Sequence, residues 1–183
     1  RSCDWGSAKP FSVGWWAVCP DLYTTPNGSV IPRGAVIRYR EWYGAAKDTS
    51  GATKPDTGLK LTAEEVAEGI KERDGGDTIR YSVIDPAAFS QDGGPSIVER
   101  MRINWRRADN KRVGRHGAMG GWDQMRARMM GEDLGEPYGR RPMMYVFSTC
   151  TDFIRTIPAL QHDRSRPEDL DTTAEDHAAD EAR

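Results

Sequence analysis

Cysteine is scarce in this chain of 183 residues, and no apolar segment approaches the length of a membrane span. Cys3, Cys19 and Cys150 are odd in number and have no paired spacing, which argues against a disulfide framework or a zinc site. We therefore expect reduced, partly buried thiols, as in cytoplasmic proteins. A bilayer span needs about 20 apolar residues, so we expect no membrane association.

An excess of charge of one sign is also missing. The 26 basic and 28 acidic residues give a formal net charge of −2. Whole-chain charge therefore offers no argument for nucleic-acid binding, and any such argument must come from local clustering. With 30% charged residues and plentiful aromatic side chains, the composition is typical of a globular protein with a polar surface. The length fits one domain with a sizeable core.

The two ends of the chain suggest that it is part of a longer polypeptide. The sequence opens without Met, and a strand-like segment containing Asp4 begins almost at once. It closes inside a helix-like segment at residues 181–183. We therefore expect residues 1–183 to be a single domain excised from a longer polypeptide, with the missing part on the N-terminal side.

The first third of the sequence predicts three antiparallel strands. One strand contains Asp4, a second spans residues 11–18, and a third is expected within residues 30–43, which are rich in β-branched and aromatic side chains. Residues 47–58 are polar and rich in Gly, Thr and Pro, which predicts a loop.

The remaining sequence predicts an alternation of helices and strands. Three capping boxes, at residues 62–65, 96–99 and 172–175, mark helix starts. Helices are expected at 62–76, at 96–104, around 122–129, at 149–160 and from 172 onward, and strands at 79–84 and 142–148. The order predicts an α/β fold with a mixed sheet, three antiparallel strands followed by parallel strands, flanked by helices. This is the ribonuclease H-like pattern.

Carboxylates stand at the ends of predicted elements. Asp4 lies near the end of the opening strand, and Asp85 follows an apolar strand. On the final helix, Asp176, His177 and Asp180 are spaced so that they share one face. Carboxylates that converge from two strand ends and a helix are suited to binding divalent metal.

Phosphodiester hydrolysis explains why such a cluster would matter. Two divalent ions about 3.5–4 Å apart ionise water and neutralise the charge that develops on the phosphate. Mg²⁺ and Mn²⁺ take oxygen ligands, which Asp and Glu supply. A simpler interpretation also exists, because an Asp at a strand end is more often a turn former or helix cap, and Asp85 precedes Pro86.

Four short segments resemble the C-terminal nuclease domain of the large terminase subunit of tailed bacteriophages (or prophages). The similarity extends over essentially the whole chain, although each segment is short. The matching segments are residues 3–6 (CDWG), 82–87 (SVIDPA), 147–150 (FSTC) and 176–183 (DHAADEAR).

The resemblance implies a ribonuclease H-like fold, two Mg²⁺ or Mn²⁺ ions and endonucleolytic cutting of concatemeric double-stranded DNA. It also implies a packaging ATPase domain in the missing N-terminal part, a portal protein and a small terminase subunit as partners, and the cytoplasm of the bacterial host as location. By position, Asp4, Asp85 and Asp180 match the metal-binding aspartates of the family, and His177 matches a histidine found in some members. Asp176 is the rival of Asp180, and a fourth carboxylate has no obvious position.

A basic stretch follows the second capping box. Arg106, Arg107, Lys111, Arg112 and Arg115 lie in a glycine-containing segment with few acidic residues. Basic side chains on a mobile loop can follow a phosphate backbone, so these residues are predicted to contact DNA. The alternative is a solvated loop whose charge balances the acidic C-terminus.

Two other functions stay open at this stage. One is a different ribonuclease H-like nuclease, such as a junction resolvase or an integrase core. The other is a DNA-binding or docking module without catalytic activity.

Overall fold

A six-stranded mixed sheet, covered by helices on both faces, forms the centre of the computed structural model, which describes residues 1–183. The strands are β1 (Ser2–Asp4), β2 (Ser12–Val18), β3 (Tyr23–Thr24), β4 (Val30–Ile31), β5 (Val36–Tyr43), β6 (Ala45–Lys47), β7 (Thr53–Gly58), β8 (Ser82–Ile84), β9 (Trp105–Arg107), β10 (Glu132–Asp133), β11 (Arg140–Arg141) and β12 (Met144–Val146). The helices are α1 (Ala63–Asp74), α2 (Ile97–Met101), α3 (Gly121–Met130), α4 (Thr151–Thr156) and α5 (His177–Ala182), with 3₁₀ turns at Pro86–Phe89 and Ile157–Ala159. None of these helices combines the length and apolar character needed to cross a bilayer.

The strand order in the main sheet is β12-β5-β2-β1-β8-β9. Strand β2 lies antiparallel between β1 and β5, whereas β8 pairs parallel with β1 and β9 pairs parallel with β8. At the opposite edge, β12 pairs parallel with β5. The prediction of an α/β fold with three antiparallel strands, followed by parallel strands and flanked by helices, is confirmed at this level.

One face of the sheet packs against α1 and α2. Because side chains alternate along a strand, Cys3, Val13 and Trp15 all point to this face, where they are almost fully buried. They meet Val66 and Ile70 of α1, which are fully buried as well. This is the largest of the three apolar clusters, and it holds β1, the strand that carries Asp4, on the face opposite the Asp4 side chain.

The opposite face packs against α3, α4 and α5. Its cluster contains Tyr43, Met125, Cys150, Phe153 and Ala178, with Trp16 and Trp122 packed alongside. All three cysteines are free and buried. The last helix, α5, lies directly on β1 and β2.

Two of the three predicted capping boxes are present. Thr62 and Ser96 each cap a helix reciprocally with the glutamate three residues later. The third, at residues 172–175, was predicted wrongly: α5 begins only at His177, after Asp176. The reason is that Glu175 is used in tertiary contacts, accepting hydrogen bonds from Tyr43 and Arg155.

Several boundaries differ from the predicted ones. The predicted loop at residues 47–58 contains most of a hairpin, β6–β7, whose turn Asp48 closes by accepting from the backbone of Ser50 and Ala52. The predicted long strand within 30–43 is interrupted at Pro32 and Gly34, where the chain turns. The basic segment, expected as a loop, begins with edge strand β9.

Candidate active site

Three of the four candidate aspartates line one cleft, and neither Asp176 nor His177 borders it. A cavity of about 810 Å³ is bordered by Asp4, Asp85 and Asp180, which come from three different elements. Strands β1 and β8 run parallel, with Cys3 opposite Ile84 in the register. Asp4 and Asp85 are the next residues along, so they stand side by side at the carboxyl ends of neighbouring strands, which lie about 4.8 Å apart in sheets.

The surroundings of Asp4 change the pKa of its carboxyl group. Burial raises its pKa above the ordinary value, and the nearby negative charges of Asp180 and Asp176 raise it further. His177 acts in the opposite direction, because its Nδ1 lies 3.2 Å from Asp4 Oδ2. The carboxyls of β1 and α5 therefore form one electrostatically coupled group.

Asp85 has a structural role that the sequence also suggested. Its Oδ1 accepts a hydrogen bond from the backbone N–H of Ala87 at 2.7 Å and so caps the 3₁₀ turn that starts at Pro86. The interpretation as a turn former is thus confirmed for one carboxylate oxygen. The other oxygen remains available to the cleft.

Helix α5 presents its acidic residues as the spacing predicted. Asp176 and Asp180 both contact the guanidinium of Arg112, with N···O distances of 3.3 and 3.4 Å. The backbone carbonyl of Asp176 accepts from the N–H groups of Ala179 and Asp180, which starts the helix. Ala178 and Ala179 are buried, and their small side chains let the helix approach the sheet closely.

Arginines neutralise this acidic group. Arg112 also pairs with Asp169 at 3.3 Å, and Arg183 donates from Nε to Asp180 Oδ1 at 2.6 Å. Both guanidinium groups stack on the ring of Trp122, at 5.3 and 5.2 Å from its centroid. Arg112, which was predicted to contact DNA, therefore points into the site in this structure.

The donor chemistry suits a hard divalent cation, although the arrangement is open. No group of three or more His, Cys, Asp or Glu side chains is arranged so that it could hold a metal ion. However, Asp4, Asp85 and Asp180 each keep one carboxylate oxygen that accepts no hydrogen bond from the protein. Oxygen donors of this kind are those that Mg²⁺ and Mn²⁺ prefer, so the residues fit such ions by type.

A buried ion pair beneath the site was not predicted. Arg38 and Glu181 form a salt bridge with both side chains 0% exposed. The Arg38 guanidinium also lies over the rings of Trp16 and Phe153, at 5.1 and 4.7 Å from their centroids. Nothing in the sequence distinguishes Arg38 from the other arginines of a half-buried strand.

Glu181 connects α5 to the sheet. Its carboxylate accepts hydrogen bonds from Ser2 of β1 and from Ser12 and Trp16 of β2, in addition to Arg38 of β5. Ser2 stands two residues before Asp4 and therefore on the same face of β1. This connection fixes the position of Asp180, the neighbour of Glu181, relative to Asp4.

The sequence did not predict that a second carboxylate, that of Asp56, lies beside His177. His177 Nε2 lies 3.2 Å from Oδ1 of Asp56, which lies in β7 and forms a salt bridge with Lys9. Burial lowers the pKa of His177, but the hydrogen bonds with Asp4 and Asp56 and the negative charges of Asp4 and Asp176 outweigh it, so the net pKa is raised. The pKa of Asp56 is lowered, chiefly by Lys9.

The other predicted DNA contacts lie around the cleft. Arg107 and Lys111 border the cavity; Arg107 donates to the carbonyl of Pro86 at 3.2 Å and stacks on a nearby phenyl ring. Arg106 is exposed and stacks on Tyr81. Arg115 is exposed and borders a neighbouring basic pocket together with Lys111.

Comparison with protein-family models, with curated proteins and with solved structures finds no match to this chain.

Proposed function

We propose that this chain is the nuclease domain of a large terminase subunit from a tailed bacteriophage or prophage. In this proposal it is a divalent-metal-dependent endonuclease that cuts concatemeric double-stranded DNA. The observation that carries the proposal is the single cleft bordered by Asp4, Asp85 and Asp180. These residues come from distant parts of the sequence, and each leaves one carboxylate oxygen free of protein hydrogen bonds.

The sheet supports the ribonuclease H-like part of the proposal. An antiparallel run of β1, β2 and β5 is followed by β8, parallel to β1, and by β9, parallel to β8. The proposed catalytic carboxylates stand at the carboxyl ends of β1 and β8, and ligands of open α/β sheets generally bind at such strand ends. Strand β12 is an addition at the far edge.

Asp4, Asp85 and Asp180 would hold two Mg²⁺ or Mn²⁺ ions, with His177 or Asp176 as an additional contact. Bound there, the ions would supply an ionised water and neutralise the charge on the phosphate. The chain itself orients Asp4 through His177 and orients Asp180 through Arg183.

Arg107 and Lys111, at the border of the same cleft, would attract the phosphate backbone toward carboxylates that otherwise repel it. Arg106 and Arg115, exposed nearby, would extend this basic surface. Arg112 would reach DNA only after releasing its aspartates. A packaging ATPase domain in cis, a portal protein, a small terminase subunit and the host cytoplasm complete the proposal, and they rest on the sequence resemblance alone.

Cleavage of a plasmid in Mn²⁺ tests the proposal directly. The wild-type domain should convert supercoiled plasmid to nicked and linear forms, and Asp4→Asn should reduce this to background without unfolding the domain. Asp92→Asn is the matched control, because Asp92 is exposed and lies outside the cleft. Cleavage by Asp4→Asn at the wild-type rate would show that the assignment is wrong.

A non-catalytic DNA-binding or docking module is the second candidate. The observation in its favour is that arginines already pair with Asp176 and Asp180. Calorimetric titration distinguishes the two: a nuclease site should bind Mn²⁺, and Asp85→Asn should weaken that binding, whereas a module of the second kind should bind none. A preference for branched over linear duplex DNA would instead favour a junction resolvase.

A further inference from the structure

The hairpin β6–β7 brings one more carboxylate to the candidate site. Its register pairs Ala45 with Gly58 and Lys47 with Thr53. Between these two pairs β6 advances by two residues and β7 by five, so β7 contains three extra residues. The extra length of β7 contains Asp56, whose φ of 55° lies in the left-handed region that non-glycine residues rarely adopt. Such a conformation persists only where the surrounding structure holds it.

Backbone contacts fix this hairpin to the segment that follows Asp4. The N–H of Gly58 donates to the carbonyl of Ala8 at 2.8 Å, and the N–H of Lys60 donates to that of Ser7 at 3.1 Å. A Cβ on Gly58 would meet the backbone oxygens of Ser7 and Lys9 at 2.2 and 2.4 Å, so only glycine permits this approach. The position of Asp56 is therefore tied to β1.

The imidazole of His177 lies between two carboxylates. Nδ1 faces Asp4 Oδ2 and Nε2 faces Asp56 Oδ1, each at 3.2 Å. The His177 side chain is only 16% exposed, which restricts its rotation. Lys9 forms an ion pair with Asp56, which helps to keep that carboxylate charged and able to accept a hydrogen bond.

We propose that Asp56 is a positioning residue that accepts a hydrogen bond from Nε2–H of His177 and thereby directs Nδ1 at Asp4. This inference deepens the proposed function, because it concerns the same site. Without metal, Nδ1–H donates to Asp4; a cation bound beside Asp4 would take the place of that proton on Nδ1, while Asp56 keeps the Nε2 proton in place. Carboxylates that orient a ligand histidine in this way commonly contribute to metal affinity.

The first test needs no metal. Long-range ¹H–¹⁵N spectra report which ring nitrogens of His177 carry a proton, and the signal is assigned by its loss in His177→Gln. In Asp56→Ala the Nε2 signal should move toward that of a solvent-exposed imidazole, whereas Asp56→Asn, which keeps an acceptor oxygen, should restore most of the wild-type position. Asp92→Asn is the charge-matched control.

The second test is calorimetric titration with Mn²⁺. Asp56→Ala should weaken binding by roughly 10-fold to 100-fold, and Asp56→Asn by much less. If Asp56→Ala leaves both the ring spectrum and the Mn²⁺ affinity unchanged, the positioning role is refuted. If wild-type protein binds no Mn²⁺, the proposed function fails, and the ring spectrum alone decides whether Asp56 orients His177.

Discussion

Two neighbouring residues of α5 lie in opposite environments. Glu181 faces the sheet, where its side chain is 0% exposed and pairs with Arg38, which is equally buried. Asp180 faces the cleft, is 21% exposed and pairs with Arg112 and Arg183. Both carboxylates are matched by arginine, but only one of them can exchange its partner for a solvated cation.

The two sides of α5 therefore have separate roles. A helix of six residues is not stable by itself, so its position must come from tertiary contacts. Glu181, which accepts hydrogen bonds from three strands, supplies those contacts. Asp180 is thereby held over Asp4 while its own second oxygen stays free. The buried side of α5 fixes the position of the helix, and the cleft side carries the carboxylate that we propose binds metal.

The largest expected effect comes from breaking the buried pair. Arg38→Met leaves Glu181 as a buried charge without its partner and should lower the free energy of unfolding by about 3–5 kcal/mol. Urea denaturation followed by fluorescence measures this loss. The double variant Arg38→Met/Glu181→Leu should be more stable than Arg38→Met alone, because no charge is then left unpaired. A single variant as stable as wild type would contradict the anchoring role.

A smaller effect is expected on the cleft side. Arg112→Met removes a shared partner from Asp169 and Asp176, which are buried, and from Asp180, which is partly buried, and should cost about 1–3 kcal/mol. Because the aspartates then lack a cation, Mn²⁺ should stabilise this variant more than it stabilises wild type. Thermal denaturation with and without Mn²⁺ measures the difference. Equal stabilisation of both proteins would mean that Arg112 and the metal do not compete.

The smallest effect concerns the pH dependence of stability. The pKa of Asp4 is raised in the folded state above its ordinary value of 3.8, so the unfolded chain loses this proton first as pH rises. The free energy of unfolding of wild type therefore falls as pH rises from the pKa of Asp4 in the unfolded chain to its higher pKa in the folded state. Relative to wild type, Asp4→Asn should gain stability across that window, as measured by urea denaturation at several pH values. If Asp4→Asn is instead less stable than wild type across that window, the hydrogen bond between His177 and Asp4 outweighs the effect of burial.

Much of the scaffold could be predicted from local patterns. The helix starts at Thr62 and Ser96 follow from side chains that cap their own helices, and this information is contained within four residues. The alternation in residues 11–18 gave β2 within one residue. The sequence also predicted Asp4 and Asp85 at strand ends, and the structure has Asp4 as the last residue of β1 and Asp85 directly after β8.

What could not be predicted depends on contacts between distant residues. Glu175 does not complete a capping box because Arg155 and Tyr43 bind it instead. Asp56 was overlooked because its segment has the composition of a loop, and its hairpin depends on contacts with residues 7–9. Arg38 and Glu181 are 143 residues apart, and no local pattern marks two charges that become buried together.

The central claim is that Asp4, Asp85 and Asp180 bind divalent metal, and crystals soaked in Mn²⁺ test it most directly. Anomalous scattering identifies manganese without relying on activity. We predict anomalous peaks in the cleft, within coordination distance of Asp4 and Asp180, with Arg112 displaced from Asp180. A cleft without any peak, at a Mn²⁺ concentration that supports plasmid cleavage, would contradict the claim.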